Sequence, residues 1–306
     1  MKAAGLSLKR RAPRGPGDRL ARPVFLSCAV VTAAALVAVV GVLGVETVRF
    51  FGTVSPGRFL TEAAWTPFAE EPRFGVLPLL AATAQITVGA AVFAVPAGLM
   101  TAVYMEHYAG VRTERVLAGV TTMLAAVPTV ILGYVALTFV TPVILRTLWP
   151  GTEAFNAMSA CLAVGLMILP TVIVFTRSAL RSVPRALMEA GLALGAGRGR
   201  VVARVLVPAA LPGIVAAVFL ATARAAGETM IVTLAAGNQT QLAWSPLEGL
   251  RTLTAFIAQS SLGDAPSGTV RYGAFFAVSA VLVAVTWGLH ATGSFLISRT
   301  RAGDAG

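Results

Sequence analysis

Six runs of apolar residues, each long enough to cross a bilayer as a helix, limit what this chain can fold into more than any other feature. The first extends from Val24 to Val45 without a charge, the second lies between Arg73 and Glu106, and the third between Arg115 and Arg146. The fourth lies between Glu153 and Arg177, the fifth runs from near Val205 to about Ala236, and the sixth spans Tyr272 to Ser298. A helix needs about 20 such residues to cross the hydrocarbon core, and its backbone polar groups must be satisfied within the helix. Of the 306 residues, 57% are hydrophobic and 12% charged, which argues against a water-soluble enzyme. The expected fold class is an all-α integral membrane protein with six transmembrane helices.

A net charge of +11 can suit a nucleic-acid partner, but here its distribution follows membrane topology. Outside the apolar runs, seventeen Lys and Arg lie in the N-terminal tail, the 2–3 loop, the 4–5 loop and the C-terminal tail. Six (Arg49, Arg58, Arg73, Arg146, Arg251, Arg271) lie on the other side. The positive-inside rule puts both termini in the cytoplasm of a multi-pass protein in the lipid bilayer, with no role for nucleic acid. The chain divides accordingly. Residues 1–23 form a basic tail, expected to be disordered on the anionic leaflet. Residues 24–75 hold the first helix and an external segment, 76–298 a transmembrane domain, and 299–306 a second cytoplasmic tail.

In the external segment, Phe50, Phe51, Phe59, Trp65, Pro67, Phe68 and Pro72 predict ordered structure at the membrane surface. The basic stretch before the first run resembles a signal peptide, but the run is too long and no small-residue cleavage site follows, so it reads as a retained anchor. Cys28 and Cys161 fall inside runs one and four and read as small packing residues. His107 and His290 stand apart from other ligand types, so no metal site is expected. Pro78, Pro96, Pro128, Pro142 and Pro170 recur inside the spans, where kinks are expected. Leu250, Leu253, Phe256 and Ile257 repeat at helical spacing over a length too short to span. They fit a small helix in the outer interface, a re-entrant helix or an ordinary loop helix.

The 4–5 loop, 177–208, carries a specific pattern: Glu189-Ala190-Gly191, then Gly195-Ala196, then Val205, Val207 and Pro208. A short helix, a glycine-permitted turn and a second short helix can present a knob to a partner. Gly191, Gly195 and Gly199, four apart, are expected to leave one face of that knob almost bare, and Pro208 to break the helix at the entry to span five. The spacing resembles the EAA loop of ABC-importer permeases, with Glu189, Gly195, Val205 and Pro208 at the matching offsets. Gly191 stands for the second Ala and Val207 for the Leu. The resemblance implies that the loop docks into a separate ATPase subunit, present in two copies, which binds ATP and Mg. The only lysines, Lys2 and Lys9, lie outside any P-loop context, so no cofactor and no enzyme activity are expected in this chain.

Span five contains Arg224-Ala-Ala-Gly227-Glu228-Thr229-Met230. Charges at the bilayer centre are costly, by roughly 2.5–3.5 kcal/mol on insertion scales, and so mark a functional site. Arg224 and Glu228, four apart, are expected on one helix face, where they can pair. That pairing also admits a purely structural reading. Counted from Ala209 at about 1.5 Å per residue, Arg224 lies roughly 22 Å along the span, beyond the midplane towards the outside. The segment resembles the Gly-Arg-Ala-x-Gly-Glu-Thr-Met stretch of the phosphate-specific importer, its C-type membrane subunit in particular. Phe74-Gly75, Val95-Pro96-Ala-Gly98, Tyr104-Met-Glu106 and Pro128-Thr-Val-Ile-Leu-Gly133 agree with it, whereas Ala81-Ala82-Thr83 and Ala223 depart from it.

The resemblance implies a type I ABC importer permease fold with Arg224, Glu228 and Thr229 on the substrate path in a bacterial plasma (inner) membrane. It also implies an A-type sister permease subunit in a heterodimer and an extracytoplasmic phosphate-binding protein. A planar guanidinium suits a tetrahedral oxyanion. The alternatives are a permease of the same fold for molybdate, tungstate or sulfate, and an ion-coupled secondary transporter. The latter should carry inverted repeats and further intramembrane carboxylates.

Overall fold

The computed structural model describes residues 16–303 apart from Ala243, Leu262, Asp264, Ala265 and Ser267. Six helical stretches among them are long and apolar enough to span: Pro23–Phe51, Leu77–His107, Thr129–Leu148, Ala157–Ser182, Arg198–Ala226 and Val270–Phe295. The first belongs to α1 (Pro16–Phe51), which begins inside the stretch expected to be a disordered tail; the rest of that tail lies outside the described residues. The last, α13 (Val270–Gly303), likewise continues into the expected C-terminal tail. Both ends prolong an apolar helix by a few turns because nothing in them stops it: Pro23 lies within α1, and no glycine or proline follows Gly293 before Gly303.

Beyond α1 the chain forms a small external layer. Ser55 caps α2 (Pro56–Thr61) by accepting from Arg58 N at 3.3 Å, and β1 (Trp65–Thr66) pairs antiparallel with β2 (Arg73–Phe74). Phe50, Phe59, Trp65 and Phe74 are buried here and meet edge to face, with Phe256 4.9 Å from Trp65 between ring centres. The order expected from the aromatic residues is present.

The core of the transmembrane region is α3 (Leu77–His107) packed along α7 (Ala157–Ser182). Small residues make that approach close: Gly89 lies against Cys161 and Gly98 against Val172, so a side chain at either glycine would collide. Such surfaces suit membrane helices, whose association rests on close packing. Cys161 is thus the packing residue expected, whereas Cys28 is exposed on the flank of α1.

The third apolar run is not one helix. It contributes part of α4 (Val111–Ala126), a break at Val127 and Pro128, then α5 (Thr129–Val135), a π-helical segment Ala136–Leu145 and a last turn, α6 (Arg146–Leu148). The break has a local cause: a residue preceding proline is pushed out of the α region, and Val127 sits at ψ 124°. The π segment takes in Pro142, and a second one, Val202–Leu206, ends two residues before Pro208. A π turn shifts each amide to the carbonyl five back, as in Val207 N to Val202 O, which gives the helix slack around a residue without an N–H.

The polypeptide then passes through α8 (Arg185–Ala193) and α9 (Arg198–Val201) into α10 (Val207–Ala226), α11 (Met230–Ala235) and α12 (Leu253–Ser260). Helix continuity from Arg198 to Ala226 overturns the expectation that Pro208 breaks the entry to span five. Pro208 lacks an N–H to give, and the π turn Val202–Leu206 directly before it carries the helix past it. Leu253, Thr254, Ala255 and Phe256 of α12 are buried, and the helix packs against α3, α11 and α13. It is therefore an internal helix of the bundle rather than a loop helix lying on the surface.

Candidate translocation site and coupling loop

Arg224 falls in the last turn of α10, where a cation is favoured by the helix dipole, and Gly227 caps that helix. Glu228 therefore lies in the gap between α10 and α11, off the helix face assumed from the sequence. The two charges do not pair. Arg224 Nη1 reaches Thr171 Oγ1 at 3.4 Å, and Glu228 Oε1 accepts from Met230 N at 3.0 Å and Ile231 N at 3.2 Å, capping α11. The helix ends because Gly227, Glu228 and Thr229 leave the α10 ladder, and a carboxylate can then satisfy the free donors of the next turn.

Thr171 stands near the middle of the 26-residue α7, so the guanidinium lies at about half the height of that helix, not towards its outer end. A long side chain on a helix reaches back towards the helix N-terminus, which explains the shift from the position counted along the backbone. Arg224 is exposed on the surface of this subunit, while Glu228 and Thr229 are half-buried. Thr229 Oγ1 donates to Gly227 O at 3.3 Å, within the same gap.

Behind the gap is a polar buttress that the sequence reading missed. Thr254 Oγ1 donates to Glu228 O at 2.7 Å and lies 2.9 Å from Thr252 Oγ1, and Leu253 N donates to Thr83 Oγ1 at 3.0 Å. All three threonines are buried. Through them α12 is tied both to α3 and to the residue following Gly227. On the other flank Gly133 of α5 lies under α11, where a Cβ would be 3.1 Å from Ile231 Cα.

In the candidate coupling loop, 177–208, the three glycines serve three different purposes and do not share a face. Gly191 is on α8, where Val201 of α9 lies within 2.8 Å of where a Cβ would be. Gly195 ends α8 in the left-handed region at φ 78°, with Ala196 N bonded back to Gly191 O at 3.2 Å. Gly199 belongs to α9, beside Tyr108. The pattern expected on one helix is folded into a hairpin because Gly195 reverses the chain between its two halves. Glu189 and Ala190 are exposed, and Ala196 is half-buried against Val201 and Val202. At the tip, Leu194 is 89% exposed, with Leu187 and Leu192 on the same hairpin also exposed.

The hairpin hangs from an ionic cluster. Arg181 Nε donates to Glu106 Oε2 at 2.8 Å and its Nη2 to Glu114 Oε1 at 3.3 Å, and Arg177 pairs with both carboxylates. These arginines are thus committed to α3 and α4 rather than being general cytoplasmic charge. Between the cluster and α8 is a cavity of about 570 Å³ lined by Glu106, His107, Arg181, Arg185, Glu189 and Arg198. Among the described residues no group of three or more His, Cys, Asp and Glu is placed to hold a metal.

Residues 94–292 match the family described as binding-protein-dependent transport system inner membrane component. The chain is 34% identical over 268 residues to the probable ABC transporter permease protein YqgH of Bacillus subtilis, covering 87% of this chain and 86% of that protein. It is 35% identical over 234 residues to phosphate transport system permease protein PstA 1 of Mycobacterium tuberculosis, covering 76% of this chain and 71% of that one. With phosphate transport system permease protein PstC of Haemophilus influenzae it shares 33% over 217 residues, 64% of this chain and 66% of that one. Relatives of both the C and A types are therefore present. Among solved structures, a bacterial alginate ABC transporter in complex with an alginate pentasaccharide-bound periplasmic protein superposes with a TM-score of 0.67 at 15% identity, over 92% of this chain and 95% of that one. The fold and the family agree: this chain belongs to the binding-protein-dependent transport system inner membrane component family and has the fold of a type I ABC importer permease, a transport subunit and not an enzyme.

Proposed function

We propose that the chain is the C-type permease subunit of an ATP-driven importer for inorganic phosphate in a bacterial plasma membrane. On this reading it pairs with an A-type sister subunit, receives its anion from an extracytoplasmic phosphate-binding protein and is driven by two copies of an ATPase that hold ATP and Mg. The names of several relatives support the cargo, and the Thr229-Met230 pair after Glu228 supports the C type. Family membership sets aside an ion-coupled secondary transporter.

The observation that carries the reading is the position of Arg224. A guanidinium exposed on a subunit at mid-height of its membrane helices is expensive in lipid, so it belongs to a surface covered by a partner or to a water-filled path. A path between two permease subunits satisfies both. There Arg224 offers an oxyanion a planar pair of donors, and Thr171 is the only side chain bonded to it among the described residues, so it is not locked by a carboxylate. Glu228, engaged with two backbone amides, shapes the gap and adds negative charge near it.

Uptake of radiolabelled phosphate by the reconstituted complex tests this. Arg224→Gln is expected to lower uptake by about 10- to 100-fold at equal subunit levels, the loss of a hydrogen bond to a charged group. Arg224→Lys should retain an intermediate rate. Parental uptake by Arg224→Gln would refute the assignment, and faster uptake of molybdate or sulfate than of phosphate would replace the cargo.

A further inference from the structure

At the ends of α1 and α13 remote from the coupling hairpin, a cleft of about 750 Å³ is lined by Arg58, Arg73 and Arg271 with one carboxylate, Glu62. Glu62 is shared, lying 3.7 Å from Arg58 Nη2 and 4.0 Å from Arg73 Nη1. Arg271 has no carboxylate partner among the described residues, and its guanidinium stands 5.6 Å over the Phe68 ring. Among the described residues the cleft thus holds two positive charges in excess, and Glu70 and Glu71 of the β1–β2 connection do not line it. Its remaining lining includes the apolar Val54, Phe74 and Val270 beside Thr53, Ser55 and Thr269.

Its height in the fold is set by its neighbours. Phe51 ends the span of α1 and Val270 begins that of α13, so a cleft built from residues 53–74 and 266–271 lies where the hydrocarbon core gives way to headgroups. The flank of α1 that leads up to it is exposed, with Val45 at 53% and Val48 at 72%. Cations at that depth, sharing a cleft with apolar side chains and beside an exposed apolar helix, match an anionic lipid rather than a soluble protein's acidic surface.

We propose that this cleft binds the phosphate headgroup of an anionic phospholipid in the outer leaflet, with Arg58 and Arg271 holding its oxygens and the acyl chains lying along α1. The site is separate from Arg224 and does not depend on which anion is transported. A phosphodiester fits because guanidinium groups donate paired bonds to its oxygens. A zwitterionic lipid brings its own cation to a cleft already in positive excess.

The purified, delipidated importer complex, titrated with dioleoylphosphatidylglycerol or dioleoylphosphatidylcholine and read by native mass spectrometry, tests the proposal. The glycerol lipid is expected to bind more tightly, each of Arg58→Gln and Arg271→Gln to weaken it about fivefold, and inorganic phosphate not to displace it. Arg58→Lys with Arg271→Lys should keep most of the binding, which separates charge from folding. Equal retention of the two lipids by the parental complex would overturn the proposal without reference to any variant. So would unchanged retention by the double Gln variant, or displacement by inorganic phosphate, which would make this a free-anion site. Loss of stimulation by a delivering protein with lipid retention intact would identify a protein-docking surface instead.

Discussion

Glu228 holds the start of α11 with its carboxylate and α12 with its carbonyl, so different substitutions separate the two tasks. Glu228→Gln keeps an acceptor for Met230 N and Ile231 N and should leave the thermal midpoint of the complex near the parental value. Glu228→Ala removes the cap at a cost of about 1 kcal/mol. Thr254→Val leaves the part-buried Glu228 carbonyl without its donor, a cost of about 1 kcal/mol, and should lower the midpoint more than the Gln variant does. At the hairpin tip, Leu194→Asp changes a side chain that is 89% exposed, so folding should survive while co-purification of the ATPase falls; full retention would show that the tip is not a docking knob. Gly195→Ala is a poorer probe of docking, because φ 78° alone costs an L residue roughly 1–2 kcal/mol. Residue types with a chemical meaning in lipid, Arg224 and Glu228, were legible in the sequence. Thr254 was not, because a hydroxyl bonded to a carbonyl 26 residues away leaves no periodic trace, and Leu194 was not, because one apolar residue in a turn has no pattern to belong to.

Between helices, the contact of α3 with α7 rests on glycines facing larger side chains. Gly89→Val should cost about 1–3 kcal/mol by overpacking against Cys161, and Gly89→Ala combined with Cys161→Ala should recover part of what Gly89→Ala loses, read from thermal unfolding of the complex in detergent. If the single and double variants were equally unstable, the two residues would not be in contact. The six spans were legible because apolar run length is a property of composition. Of their interruptions, the one at Pro128 was legible as a kink, whereas the one at Gly227–Thr229 was not, because four-residue spacing alone leaves Arg224 and Glu228 on one continuous helix. The hairpin of the coupling loop went unread for a related reason, since four-residue spacing looks like one helix face until a left-handed glycine turns the chain.

At the scale of the whole molecule, six crossings place both ends of the chain on the side of the coupling hairpin. Reporter fusions after Ser298 are expected to be active only in the cytoplasm and fusions at Pro67 only outside, and the reverse result would invert the topology. The order of packing has a further consequence. The first span, α1, is unburied over its apolar window and meets the rest of the bundle through α13, Phe50 seating within 3.1 Å of where a Cβ on Gly273 would be. That partner is the last span to be made. With ribosomes adding about 5–20 residues per second, the roughly 220 residues between Phe51 and Val270 take on the order of 10–40 seconds, during which the apolar length of α1 has only lipid or the insertion machinery for company and its Phe50 end alone meets the external layer. The first of the six described spans to be made is therefore the last of them to find its place, and a ribosome stalled before Val270 leaves behind an anchored but unclosed bundle.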